Sequence, residues 1–331
     1  METAERIRGP LTAILMIAVP LLVLGIIIVR RRVQATRWAP ALVVGAVFLV
    51  AAVVEGVNAW PVLKYDYWTA DSVPGFFVAQ IQQFVEVGVL QGAVLCLLAV
   101  LGEYLGRETV PGAAVGYLDA FRGRLLAPAV IRAGLAGCAL GLVIMGYNAL
   151  YWGITRNVLD ASAYLCPHGS CIEFSTLIPN VDVAEHHYLN HLTPFLAGVV
   201  DAFFWAMMMA LAPWFFFAIA IPYVKSKTVT VFLLGSLFGF LGPWAYPTGW
   251  GSLGSGVACV IFVVILLRFG VLTCMVAVYF SESVATAIAM LASRESGLTL
   301  SGVVLLMLAF VPALPWLIAR RRGLPVPALV G

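Results

Sequence analysis

All four histidines of the chain, His168, His186, His187 and His191, fall in one polar stretch. His187 and His191 are spaced i, i+4, so one helix face can present both imidazoles, as helical zinc sites do. Asp182, Glu185 and the cysteines Cys166 and Cys171 are close by in sequence. The chemistry this points to is an extracytoplasmic zinc or copper centre. The competing reading is a loop whose histidines face water. Glu185 precedes the histidines instead of standing between them, so the HExxH arrangement is absent. The water-facing loop is therefore preferred, and no metal or other cofactor is expected. Cys166 and Cys171, in LCPHGSC, suit a disulfide in an oxidising compartment. The loop it would close is short, so it would act as a local staple.

A second set of reactive side chains consists of ionisable groups isolated in apolar sequence: Glu55, Glu86, Asp201, Arg268 and Glu282. A charge inside lipid is costly, so each is a candidate for function or for packing. Gln83, Glu86 and Gln91 fall near one helical face, with Gln80 and Gln82 close by. Such a face has to look into the bundle or a wet cavity. It reads as a substrate or proton path or, preferably, as hydrogen-bonded glue between helices. Met207, Met208 and Met209 are consecutive and point to different faces of a helix, which favours core packing over thioether ligation.

The elements that hold these groups are long apolar runs. The chain has 331 residues, of which 62% are hydrophobic and 11% charged, and its mean hydropathy is +1.01. Soluble domains are about 45–50% apolar and about 25% charged, so this is an all-α polytopic membrane protein. A net charge of +3 without a charged tail does not suggest a nucleic-acid partner, and none is expected. The N-terminal apolar run is too long for a signal-peptide core and lacks a small-residue cleavage site, so it is read as the first span.

Nine spans are expected, near 11–29, 40–60, 76–102, 133–153, 194–221, 229–246, 255–267, 270–292 and 300–318. Alternating them across the bilayer puts fourteen of the 19 Lys and Arg on one side and five on the other. The positive-inside rule then places the N-terminus outside and the C-terminus inside, with eight or nine spans in all. The stretch 104–132 is expected to form an interfacial helix on the inner face. Arg268 is expected to cap the carbonyls of the seventh span. WAYPTGWGSLGSG at 244–256 reads as an interfacial loop with aromatic anchors. The whole of 1–331 is one membrane domain, with two N-terminal spans in 1–60 and a final span at 300–318.

Five segments carry a family resemblance: VNAWP at 57–61, LLAVLGEYLGRETVPG at 97–112, LIPNVDVAEHHYLNHLTPFLAGVVDAFFW at 177–205, LFG at 237–239 and VVILLRFGVLTCMVAVYFSES at 263–283. Over 57–291 the chain resembles the CPBP (CAAX protease and bacteriocin-processing, or Abi) family of intramembrane metalloproteases. The resemblance implies a helical bundle in the bacterial cytoplasmic (inner) membrane. It also implies three metal-binding and catalytic motifs: Glu-Glu-x-x-x-Arg, Phe-x-x-x-His and His-x-x-x-Asn/Asp. At the positions of the first, this chain has Ala206, Met207 and Leu211. The second keeps Phe238 but has Gly242 for the histidine. In the third, Val278 replaces the histidine, and Glu282 stands at the acidic position. Ala, Gly and Val offer a metal no ligand, a lone Met thioether does not make a zinc site, and no general base accompanies Glu282. The expectation is a degenerate, non-catalytic homologue that sits in the lipid bilayer and binds another membrane protein or a hydrophobic peptide. Two alternatives stay open. One is an active zinc endopeptidase on prenylated or hydrophobic peptides, as the family implies. The other is a small-solute or ion carrier using Glu55, Glu86 and Glu282.

Overall fold

The structure is a computed structural model that describes residues 17–29, 38–63, 72–157, 191–241, 249–293 and 295–323. Among the described residues there is no strand. The helices are α1 (Val19–Val29), α2 (Trp38–Asn58), α3 (Trp60–Leu63), α4 (Val73–Thr109), α5 (Val115–Phe121), α6 (Pro128–Asn157), α7 (Pro194–Val224), α8 (Lys227–Leu241), α9 (Gly249–Phe269), α10 (Val271–Ala292), α11 (Ser296–Ala309) and α12 (Leu314–Arg321). A 3-10 turn, Val311–Ala313, links the last two. Each of the nine apolar stretches overlaps a described helix, the last of them two. Six segments are long and apolar enough to cross a membrane: Trp38–Asn58, Gly88–Thr109, Pro128–Tyr151, Pro194–Val224, Val271–Ala292 and Ser296–Arg321. This makes the chain an integral membrane protein.

Helix limits follow local chemistry. Ser72 accepts a hydrogen bond from Gly75 N at 3.2 Å and so caps α4, whose first turn contains Pro74. Pro111 and Gly112 end the extension beyond Thr109, and Gly112 takes φ 97. The 104–132 stretch is therefore not one surface helix. It divides into the end of α4, the short α5 and the start of α6, and α5 turns Tyr117 into the core. The seventh stretch, expected at 255–267, is the 21-residue α9, because the Gly/Ser-rich segment from Gly249 joins the helix. The final stretch is interrupted by its 3-10 turn at Pro312 and is not a uniform helix.

Helix pairs meet through small residues, as expected where lipid supplies no hydrophobic drive between helices. On α2 and α4, a Cβ at Gly45 would lie 3.0 Å from Gly92 O, and one at Gly92 would lie 3.0 Å from Gly45 O. On α6, a Cβ at Gly137 or Gly141 would collide with Val276 or Phe280 of α10. These pairings set the directions. α2 is antiparallel to α4 and α7; α4 is parallel to α7; α6 is parallel to α10. One end of the bundle, the Asn58 end, gathers the end of α2 and the start of α7. The other, the Arg107 end, gathers the end of α4, α5, the start of α6, the end of α7, the α9–α10 junction and α12. Val271 N donates to Ala113 O at 2.9 Å across this end. All ten described basic residues that the alternation assigned to one side lie here: Arg107, Arg122, Arg124, Arg132, Lys225, Lys227, Arg268, Arg320, Arg321 and Arg322.

The α9–α10 break falls at Gly270, as the LRFG turn predicts. Gly270 has φ 93, and a Cβ there would meet Ala113 O at 2.8 Å. Both the backbone conformation and the space require glycine.

Candidate functional site

α7 and α10 are central to the packing. Ala206, Met207, Leu211 and Val278 are all buried in one apolar cluster, with Met208 and Met209 packed against it. The three methionines thus belong to the core. Pro213 sits inside α7 and has no N–H, so Met209 O loses its helical donor. The Cys274 thiol of α10 lies 3.8 Å from Met209 O and 3.8 Å from Phe262 O of α9. Cys274 is thus more than a small apolar group: its thiol offers a weak donor to both carbonyls.

Two of the isolated charges come together. Asp201 on α7 and Glu282 on α10 are close enough for their charges to interact. Asp201 is exposed and Glu282 part-buried. Glu282 is therefore not isolated, as its place in the sequence suggested; its neighbour is a second acid. The pair lies roughly 10 Å from the start of α7. Arg268 does not join it. It is exposed in the last turn of α9 at the opposite end, where its charge faces the negative end of the helix dipole.

Glu55 belongs to a polar clasp at the Asn58 end. His191 Nε2 lies 3.1 Å from Glu55 Oε1, and Asn58 Nδ2 donates to Glu55 Oε2 at 3.1 Å. Asn58 also pairs with a peptide of the α7 entry: Thr193 N donates to Asn58 Oδ1 at 2.7 Å, and Asn58 Nδ2 donates to Thr193 O at 3.1 Å. Leu192 N donates to Asn58 O at 2.9 Å. The buried Asn58 side chain thereby joins α2 to α7 as a neighbouring backbone strand would. Sequence reading singled out Glu55 and His191 but not Asn58, which carries no charge and breaks no pattern.

A further acid escaped sequence reading. Glu103 of α4 is buried, and Arg107 grips it from the next turn, Nε to Oε1 at 2.8 Å and Nη2 to Oε2 at 2.6 Å. The i, i+4 Glu–Arg spacing was its available signal. Trp214 of α7 is fully buried and lies flat on Gly102 and Gly106 beside this pair. Tyr117 of α5 meets Trp214 edge-on, with centroids 6.2 Å apart. Trp214 Nε1 and Tyr117 Oη have no hydrogen-bond partner among the described residues. Burial first of all, with Cys96 and the Glu103 carboxylate nearby, pushes the Tyr117 phenol up, so it stays neutral.

Of the polar face on α4, Gln80 and Gln91 are part-buried and Gln82 is exposed. The side chains of Gln83 and Glu86 lie outside the described residues, as do Gly242, Cys166, Cys171, His168, His186 and His187. Among the described residues no group of three His, Cys, Asp or Glu side chains is placed to hold a metal. Comparison with protein-family models, curated proteins and solved structures returns no match.

Proposed function

We propose that this chain is a non-catalytic membrane protein on a CPBP-like scaffold, which binds a membrane protein or hydrophobic peptide beside the Asp201–Glu282 pair. The observation that carries this reading is the contrast along the α7–α10 contact. The positions where the resemblance calls for ligands and a base, Ala206, Met207, Leu211 and Val278, are buried apolar packing. One or two turns away, the exposed Asp201 carboxylate stands on a helix long and apolar enough to span a membrane. An acid at that depth of an apolar helix is a candidate for function or for packing. We place the Arg107 end in the cytoplasm by the positive-inside rule, with nine spans, and the acid pair in the outer half.

The test is photo-crosslinking in native membranes from a probe at Phe204, one turn below Asp201. A discrete membrane-protein adduct that is lost in Asp201→Asn/Glu282→Gln supports the reading. Metal-dependent cleavage of a prenylated peptide by the purified chain would overturn it in favour of the protease. The carrier reading has less support, because Glu55 is held in the clasp with Asn58 and His191.

A further inference from the structure

Six arginines crowd one corner of the Arg107 end. Arg122 and Arg124 are exposed on the link between α5 and α6, and Arg132 is exposed in the second turn of α6. Arg320, Arg321 and Arg322 are exposed at the end of α12. α12 and the 3-10 turn before it pack on α6, where Pro312 O presses on Gly134. The two arginine groups therefore flank the same helix start. The carboxylate of this corner is Asp119, which lies 3.8 Å from Arg124. The other described acids at this end are on α4: Glu103, gripped by Arg107, and Glu108. The corner thus keeps a large positive excess.

Its apolar neighbours decide the partner. Leu125 is 55% exposed between the arginines, and Leu314, Leu317 and Ile318 form an exposed i, i+3, i+4 stripe on α12. The Arg320 guanidinium stands 5.5 Å from the Trp316 ring centroid, a pairing suited to the headgroup zone. We propose that this rim binds the headgroup phosphates of acidic phospholipids in the adjoining leaflet. The arginines meet the phosphates while Leu125, Leu317 and Ile318 enter the acyl boundary. A soluble anion would use the charges but leave the apolar stripe without a role. The positive end of the α6 dipole adds to the attraction.

The experiment uses the full chain in detergent with added phosphatidylglycerol or phosphatidylcholine, read by lipid retention in native mass spectrometry and by the thermal midpoint. Phosphatidylglycerol should be retained preferentially and raise the midpoint. Each arginine near an anionic surface is worth roughly fivefold in affinity, so Arg320→Gln/Arg321→Gln/Arg322→Gln should weaken retention about 100-fold. Arg122→Gln/Arg124→Gln should weaken it by about a further 25-fold. Lys225→Gln/Lys227→Gln, at the α7–α8 turn outside the rim, should leave it unchanged. Equal retention of the two lipids would overturn the proposal, as would equal losses in the lysine control. Displacement of phosphatidylglycerol by the same concentration of inorganic phosphate would overturn it in favour of a plain anion site. Tighter binding of an acidic polypeptide would overturn it in favour of a protein partner.

Discussion

Glu103 and Glu282 are two carboxylates in one helical bundle with opposite company. Glu103 is buried, and a two-pronged arginine from its own helix neutralises it. Glu282 is part-buried and faces Asp201, a second negative charge from another helix. On the proposed reading, the difference separates a structural acid from one set beside a binding surface. A carboxylate gripped by a guanidinium is held in one geometry and fixes its surroundings. Two carboxylates near each other disfavour one another's charged form, and a proton on either relieves this.

The largest effect should come from breaking the first arrangement. Arg107→Ala leaves Glu103 buried without its cation. It should cost about 2–3 kcal/mol in unfolding from detergent, less than a fully buried pair because the arginine is over one-third exposed. Adding Glu103→Gln to that variant should recover a large part of the loss; no recovery would mean that the pair is not coupled. Next in size, Asn58→Ala removes the amide that pairs with the α7 entry and should cost about 1–2 kcal/mol. Unaltered stability would show that the α2–α7 clasp contributes little. Glu282→Gln should move stability the other way, by a gain under about 1 kcal/mol, while abolishing the Phe204 crosslink. A loss of stability there would make Glu282 a second structural acid. Smallest of all, Tyr117→Phe deletes a buried hydroxyl that has no partner among the described residues, so its effect on the unfolding midpoint should be near zero or slightly stabilising. A marked loss would reveal a bridging water between Tyr117 and Trp214.

The long elements could be read from sequence because lipid imposes a simple demand. Every backbone group must be satisfied within its own segment, so apolar length reports helix position. The Gly270 break was legible because glycine follows an arginine in an otherwise unbroken apolar run. What the sequence could not supply was adjacency. Asp201 meets Glu282 only because α7 and α10 run antiparallel with their polar positions at one level. Cys274 finds Met209 O only because Pro213 has released it on the neighbouring helix. Glu103 escaped for a local reason: it sits in GEYLGRE, whose charges resemble the start of a loop, whereas α4 carries on through it to Thr109.

The hydrogen bond from Val271 N to Ala113 O joins the end of the fourth helix to a turn made much later in synthesis. Ala113 is already in place when the ribosome begins on α9. The glycine at 270 lets that later hairpin dock flush against it. The contact can form only once both parts of the chain are present, so it ties the first half of the bundle to the second. A residue with a side chain at 270 would leave inserted helices with no latch, an assembly fault seen as degradation of new chains before any change in mature ones.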